Sequence, residues 1–274
     1  MRFWKDKVVY ITGGSSGIGL ATACLLANKG ADILIFARGR EQLETAVGQI
    51  RNNAASGQRR VEFRQLDVAD NQSVLQVMAD AVSEFGCPDV LINAAGRALP
   101  DHFAAIPFKQ MAETMQINFY GVWNPVAALL PHMKQKGGHI VNVSSIAGFL
   151  GVFGYTDYCA SKFAIIGFSE ALRSEVKPYN IKVSVLCPPD TDTPGLAAED
   201  QTKPDETRAI AASAKVMQPD AVGKSLIKGI ERGRFMIIPG MDGKLTWIAK
   251  RLFPRLVDMV MDAQIKKVRR KAKG

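Results

Sequence analysis

The chain has 274 residues, 47% of them apolar and 22% charged, and it carries a formal charge of +9. This length fits one or two domains, and the composition is that of a globular protein, which excludes disordered and collagen-like classes. The charge is uneven, since residues 244–274 hold ten basic and two acidic side chains while residues 1–243 are nearly neutral. We therefore expect one domain over 1–243, a basic extension over 244–274 and no nucleic-acid-binding face on the domain.

The four cysteines stand far apart, and no Cys or His pattern has the spacing of a metal site. This usage is typical of a reducing compartment and predicts neither a disulfide framework nor a bound metal. The first residues lack the apolar core of a signal peptide, and no run of 18 apolar residues occurs. We expect a cytoplasmic protein, either free or held peripherally at the cytoplasmic face of a membrane.

Short apolar runs rich in β-branched residues alternate with longer segments of helical periodicity. The runs predict buried parallel strands at Val8–Ile11, Asp32–Ala37, Val61–Asp67, Val90–Asn93, His139–Ser144 and Lys182–Cys187. The segments between them predict helices at Ile18–Lys29, Arg40–Asn52, Asn71–Phe85, Phe108–Lys134 and Thr156–Lys177. This alternation predicts an α/β fold with a doubly wound, Rossmann-like parallel sheet. The Pro- and Asp-rich segment 191–214 breaks the alternation and is expected to cover the carboxyl edge of the sheet.

A glycine-rich turn, TGGSSGIG at residues 12–19, joins the first strand to the first helix. Glycines let the backbone approach a pyrophosphate, and the helix N-terminus offers free N–H groups. The turn therefore predicts a dinucleotide site made by Gly13, Ser15, Ser16, Gly17 and Ile18.

The second strand ends at Arg38, where an acidic residue would favour NAD. A guanidinium at this place can hold a 2′-phosphate by charge-assisted hydrogen bonds. We expect NADPH or NADP⁺ as cofactor, the alternative being that Arg38 is only a solvent-exposed side chain.

A set of four residues, all C-terminal to Arg38, predicts the chemistry of the site. Tyr158 and Lys162 are four residues apart, so they share one face of a helix. Hydride transfer to a ketone leaves charge on its oxygen, which a tyrosine can protonate, and a neighbouring ammonium lowers the tyrosine pKa. Ser145 can hold the carbonyl oxygen, and Asn118 can order water leading to Lys162. Together these residues predict a carbonyl reductase.

These motifs resemble those of the short-chain dehydrogenase/reductase family, whose Asn-Ala-Ala-Gly motif also stands at residues 93–96. The resemblance covers residues 5–240 and implies a seven-stranded sheet and a homodimer or homotetramer. It selects Ser145 over Ser144, because the serine of that family stands thirteen residues before the tyrosine. It also implies that the cofactor contacts Asp67, Val68, Asn93, Tyr158, Lys162, Thr191 and Thr193.

Within that family, the segments 151–156, 175–180 and 188–208 resemble those of 3-ketodihydrosphingosine reductases. This implies NADPH-dependent reduction of a lipid-like substrate, 3-ketosphinganine, to sphinganine in sphingolipid synthesis. Two features depart from that group: the N-terminal membrane segment of its eukaryotic members is missing, and Gln42 stands where a basic residue is common. The alternatives are a reductase of another lipophilic ketone (3-oxoacyl, steroid or retinal) and a non-catalytic NADP-binding scaffold.

The substrate implied by the resemblance carries an ammonium beside its ketone. Asp190 and Asp192 lie on the loop expected over the nicotinamide, and we expect one of them to pair with this amine. The alternative is that both only shape a proline-rich turn.

The extension combines its basic cluster with apolar residues at helical spacing. These are Leu245, Ile248, Leu252, Leu256, Val257, Val260, Met261, Ile265 and Val268. A basic amphipathic helix of this kind can lie in the headgroup layer of a membrane and bind anionic lipid. The alternative is a helix packed on its own domain or on a dimer partner.

Overall fold

The computed structural model describes residues 3–55, 59–212 and 215–271, and in them seven strands form one parallel sheet. The strands are β1 (Val8–Thr12), β2 (Asp32–Ala37), β3 (Val61–Gln65), β4 (Val90–Asn93), β5 (Gly138–Val143), β6 (Ile181–Leu186) and β7 (Met236–Ile237). Their order, β3-β2-β1-β4-β5-β6-β7, confirms the doubly wound fold. All six strands predicted from the sequence are present within two residues of their expected bounds, and β7 is the seventh strand that the family resemblance implies.

Helices cover both faces of the sheet. They are α1 (Gly17–Asn28), α2 (Arg40–Asn53), α3 (Asn71–Phe85), α4 (Phe108–Met115), α5 (Gly121–Lys136), α6 (Thr156–Val176), α7 (Pro194–Glu199), α8 (Asp205–Ala211), α9 (Pro219–Glu231), α10 (Met241–Leu252) and α11 (Pro254–Lys271). Side chains of α1, α2 and α9 form one core with Val9 and Ile11 of β1. Those of α3, α5 and α6 form the other core with Tyr10. This split follows from the two-residue period of a strand, which sends neighbouring side chains to opposite faces. No helix among the described residues is long and apolar enough to cross a membrane.

The helix predicted over Phe108–Lys134 is interrupted near its middle. Residues Gln116–Tyr120 form a single π turn, in which the N–H of Gly121 donates to the carbonyl of Gln116, five residues back. A side chain at Gly121 would collide with Val68, because a Cβ there would lie 2.6 Å from the Val68 Cγ2 atom. The turn carries Asn118, which is fully buried. Such π turns are frequent at functional sites, and this one directs a polar side chain inward.

A chain of buried polar side chains ties β4, β5 and α6 together beneath the carboxyl edge of the sheet. Asn93 Nδ2 donates to Asn142 Oδ1 at 2.9 Å, and Asn142 Nδ2 donates to Ser169 Oγ at 2.9 Å. The Ser169 hydroxyl in turn donates to the carbonyl of Ile165 at 2.7 Å. Because buried amides are costly unless they are paired, these bonds fix how α6 sits on the two central strands.

The segment that follows β6 covers the carboxyl edge, as expected, and forms α7 and α8 there. Thr193 caps α7, since its Oγ1 accepts a hydrogen bond from the Leu196 N–H at 3.2 Å. We call residues 191–212 the lid; residues 213 and 214 of the segment expected from the sequence lie outside the described residues.

The C-terminal extension begins earlier than its charge suggests. Helix α10 starts at Met241, so the boundary expected after Gly243 lies within its first turn. Trp247 of α10 packs against the small core cluster of Val185, Cys187 and Ile238. The first helix of the extension is thus part of the domain's own packing.

Helix α11 packs against α8 of the lid, and Arg269 Nε lies 3.3 Å from Glu206 Oε1. The single apolar stripe expected in this region is divided between two faces. One set is half-buried: Val257, Met261, Ile265 and Val268. The other set is exposed: Leu252, Phe253, Leu256, Met259 and Val260. The extension therefore combines a helix docked on its own domain with an uncovered apolar face; residues 272–274 lie outside the described residues.

Candidate active site

The predicted phosphate loop is packed closely against the end of β4. Gly13 and Gly17 have positive φ angles of 67° and 53°, which side chains rarely adopt. A Cβ at Gly13 would lie 2.7 Å from the Ala95 nitrogen, and one at Gly19 would lie 2.3 Å from the Gly13 oxygen. The side chain of Ser16, at the N-cap of α1, makes no capping hydrogen bond. This leaves N–H groups at the start of α1 for an anion, as a pyrophosphate site requires.

The residues predicted to contact adenosine lie together at the carboxyl ends of β2 and β3. Arg38 is exposed, and its backbone is fixed by Gln65, whose Nε2 donates to the Arg38 carbonyl at 2.7 Å. No described residue bonds the Arg38 guanidinium, so it is free to meet a ligand. Asp67 is exposed and accepts the Ala69 N–H at 3.0 Å, while Val68 is buried beside it.

Two other predicted cofactor residues use their side chains inside the protein. The Asn93 amide belongs to the buried chain described above, and Thr191 Oγ1 donates to the carbonyl of Pro189 at 2.8 Å. Thr193 lies against the phosphate loop, with its methyl carbon 3.0 Å from the position that a Cβ at Gly17 would take. The lid and the phosphate loop are therefore in contact. The cofactor contacts of these three residues stay predictions.

Lys162 and Tyr158 share one face of α6, with the Lys162 Nζ 5.5 Å from the centroid of the Tyr158 ring. Lys162 is only 4% exposed, and its ammonium donates to the carbonyl of Val143, at the end of β5, at 3.0 Å. Burial lowers the pKa of Lys162 to about 8. Burial also raises the pKa of Tyr158, which the Glu199 carboxylate raises further and a hydrogen bond with Ser145 lowers. The phenol is thus held in its acid form, as proton donation requires.

The two neighbouring serines have different partners. Ser144 is buried, and its hydroxyl donates to the Lys162 carbonyl at 2.8 Å. Ser145 instead lies near Tyr158 and lowers its pKa, and the Ser145 Oγ accepts the Ala147 N–H at 3.1 Å. Ser145 is therefore placed to hold a carbonyl oxygen beside Tyr158, whereas Ser144 holds the backbone of α6 in position.

The Asn118 side chain is fully used in orienting the loop after β4. Its Oδ1 accepts the Arg97 N–H at 2.8 Å, and its Nδ2 donates to the Arg97 carbonyl and to Ser161 Oγ, both at 2.9 Å. A Cβ at Gly96 would lie 3.2 Å from Asn118 Oδ1 and 3.3 Å from Lys162 Nζ. Glycine at this position therefore avoids crowding both side chains, between which the sequence predicts an ordered water.

The structure also adds a residue that the sequence interpretation missed. Glu199, at the end of α7, accepts a hydrogen bond at 2.8 Å from the hydroxyl of Tyr155, whose ring centroid lies 5.5 Å from that of Tyr158. Asp190 is half-buried near the same tyrosines, whereas Asp192 is exposed and accepts a hydrogen bond from Gln218. The predicted pairing of Asp190 or Asp192 with an amine stays a prediction. Only folding the lid back onto α6 brings Glu199 to the site, so no local pattern marks it.

Comparison with known families agrees with this geometry. The family model described as short chain dehydrogenase matches residues 7–204, which include the glycine-rich loop, Asn118, Ser145, Tyr158 and Lys162. The chain belongs to the short-chain dehydrogenase family. It is thus an oxidoreductase, and the family expected from its motifs is confirmed.

Individual relatives share most of the chain. A 3-ketodihydrosphingosine reductase of Bos taurus is 41% identical over 237 residues, which are 86% of this chain and 71% of the relative. One of Dictyostelium discoideum is 38% identical over 256 residues, covering 88% of this chain and 77% of the relative. A solved short-chain dehydrogenase from Sphingobium yanoikuyae, in complex with NADPH, has a TM-score of 0.77 and 27% identity and covers 89% of this chain and 91% of its own.

The different partners of the two serines predict different effects of removing each hydroxyl. We expect Ser145→Ala to lower kcat for reduction of a ketone about 100-fold, because a donor to the developing oxyanion is lost. We expect Ser144→Ala to cost about 1 kcal/mol of unfolding free energy and to change kcat much less. Steady-state NADPH oxidation and urea unfolding measure the two effects. An equal loss of kcat in two equally stable variants would contradict this assignment.

Proposed function

We propose that this protein reduces 3-ketosphinganine to sphinganine with NADPH, a step of sphingolipid synthesis. The observation that carries the proposal is the joint placement of Tyr158, Ser145 and Lys162 at the carboxyl edge of the sheet. The substrate is supported by the reductases of that name, 38–41% identical to this chain over most of its length.

The residues present fit NADPH. The positive-φ glycines of the phosphate loop and the uncapped start of α1 suit the pyrophosphate. The free guanidinium of Arg38 suits a 2′-phosphate, and Asp67 and Val68 lie beside it for the adenine ring. When bound, NADPH supplies a hydride to the ketone carbon.

The protein's own side chains transfer the proton to the ketone oxygen. The Tyr158 hydroxyl gives its proton to the ketone oxygen, which becomes the alcohol, while the Ser145 hydroxyl holds that oxygen by a hydrogen bond. The Lys162 ammonium stabilises the phenolate that remains. Lys162 and Asn118 both lie beside Gly96, and an ordered water between them would return a proton to Tyr158 through Lys162.

A direct assay tests the function. We expect the protein to oxidise NADPH in the presence of 3-ketosphinganine and to form sphinganine, detected by mass spectrometry, with higher kcat/KM than for a 3-oxoacyl, steroid or retinal substrate. Tyr158→Phe removes the acid, so we expect at least about a 100-fold loss of kcat with NADPH binding retained. Preference for another ketone would replace the substrate, and absence of turnover with all of them would favour the NADP-binding scaffold.

The positive charge of Arg38 leads us to expect a preference for NADPH over NADH. We expect Arg38→Asp to lower the ratio of kcat/KM with NADPH to that with NADH by about tenfold or more, because charge-assisted bonds to the 2′-phosphate are replaced by repulsion. Arg232→Asp is a matched control, since this exposed residue follows α9 and precedes β7, at the opposite edge of the sheet. An unchanged ratio in Arg38→Asp would remove the assignment.

We further propose that the protein forms a homodimer or homotetramer. Exposed aromatic side chains on adjacent helices support this: Trp123 of α5 and Phe163 of α6 are 47% and 45% exposed. Analytical ultracentrifugation measures this state directly.

We also propose that the protein is cytoplasmic and contacts the membrane surface through α10 and α11. The exposed residues Leu252, Phe253, Leu256 and Met259 lie in the basic segment and support this contact. Helix α11, which carries part of this exposed face, also packs on α8 of the lid.

Vesicle sedimentation tests the membrane contact. We expect the intact protein to sediment with vesicles that contain phosphatidylserine at low salt and to be released as salt rises. The double variant Leu256→Asp/Met259→Asp should lose binding, while Leu75→Asp, at another exposed apolar site on α3, should keep it. Failure of the intact protein to bind would reject the contact.

A further inference from the structure

The substrate of the proposed function poses an electrostatic problem. In a 2-amino-3-ketone the ammonium stands on the carbon next to the carbonyl, so it enters the site within a few ångströms of the Tyr158 hydroxyl. Burying a cation is costly unless it is paired with an opposite charge. A reductase of this substrate class therefore needs a carboxylate close to Tyr158, and the inference below rests on the proposed function.

Glu199 lies where such a carboxylate is needed. Its Oε2 accepts the hydrogen bond from the Tyr155 hydroxyl at 2.8 Å, and Tyr155 is only 7% exposed, so its ring is held firmly. The Tyr155 and Tyr158 rings are tilted by 52° with centroids 5.5 Å apart. The Glu199 carboxylate is thus held one aromatic ring away from the reacting phenol. Its negative charge raises the pKa of Tyr158 and opposes the lowering of the Lys162 pKa by burial.

The other charges near Glu199 leave it available to a cation. Lys203 is buried nearby, but its ammonium is paired with Asp200 at 2.7 Å. Burial raises the pKa of Glu199, and the like charges of Asp190 and Asp200 raise it further, whereas the Tyr155 hydrogen bond and the Lys203 ammonium lower it. Among the described residues, Glu199 makes no ion pair within 4 Å, and its hydrogen-bond partner Tyr155 is neutral.

The two aspartates expected from the sequence are placed differently. Asp192 is exposed, and its carboxylate accepts a hydrogen bond from Gln218 at 3.2 Å. Asp190 is half-buried and interacts electrostatically with Tyr155 and Tyr158, but no hydrogen bond ties its carboxylate to either ring in the described residues. Of the three carboxylates, that of Glu199 is the one anchored beside the reacting tyrosine.

We propose that Glu199 determines substrate specificity by pairing its carboxylate with the substrate ammonium, and that Tyr155 positions it. The pair holds the amino ketone with its carbonyl toward Tyr158 and Ser145. It also distinguishes amino ketones from 3-oxoacyl chains and other uncharged ketones, because these bring no positive charge to the half-buried carboxylate.

The test compares 3-ketosphinganine with its 2-deamino analogue, which keeps the chain and the ketone but lacks the charge. We expect Glu199→Gln to lower kcat/KM for 3-ketosphinganine about 30-fold or more, because a buried charge pair is broken. For the deamino analogue we expect a change within about threefold, since Gln still accepts the Tyr155 hydrogen bond. Tyr155→Phe should lower the preference for the charged substrate in the same direction but less.

Asp192→Asn is the matched control and should leave the preference between the two substrates unchanged. Binding of NADPH, followed by its fluorescence, reports that each variant is folded. If the wild-type protein reduces neither substrate, or only the deamino analogue, the proposed function fails and the inference fails with it. If it reduces 3-ketosphinganine and Glu199→Gln loses activity equally on both substrates, the function stands and the role of Glu199 is overturned. A selective loss in Asp190→Asn but not in Glu199→Gln would also overturn it.

Discussion

The ammonium of Lys162 is buried at the point where β4, β5 and α6 meet, and this single buried charge organises the site. It is held by the carbonyl at the end of β5, and the backbone of its own residue is held by the hydroxyl of Ser144. A buried cation is tolerated only with such partners, so these elements must keep their relative positions. Tyr158 lies one helical turn away on α6, so the contacts that hold Lys162 also hold Tyr158 in place.

The lid joins parts of the molecule that are far apart in sequence. Thr193 touches the phosphate loop at Gly17, Glu199 accepts a hydrogen bond from Tyr155 beside Tyr158, and Glu206 pairs with Arg269 of the C-terminal helix. A movement of the lid would therefore reach the phosphate loop, the Glu199 carboxylate and helix α11 together. These contacts give a physical basis for coupling between substrate entry and the state of the site.

Regular elements could be predicted because their signals are local. The strands and the glycine-rich turn follow from apolar runs and from positions where only glycine fits, and both appear where expected. The π turn at Gln116–Tyr120 could not be predicted, since it depends on the approach of Val68 to Gly121 and on the anchoring of Asn118. The apolar stripe of the C-terminal extension is divided between a docked and an exposed face because α11 packs on α8. The helical spacing of apolar residues contains no information about this contact.

The sequence by itself determined the fold class and predicted the phosphate loop and the candidate site residues Asn118, Ser145, Tyr158 and Lys162, because periodicity, short spacings and the family resemblance carry that information. Only the tertiary structure decided how those residues are used. It separated Ser144 from Ser145 by their partners, enclosed the Asn93 amide in the core, and brought Glu199 to the tyrosines across more than forty residues of chain. The physical reason is that buried polar groups pair across surfaces that come into contact only in the folded chain, and a local sequence pattern does not specify these contacts.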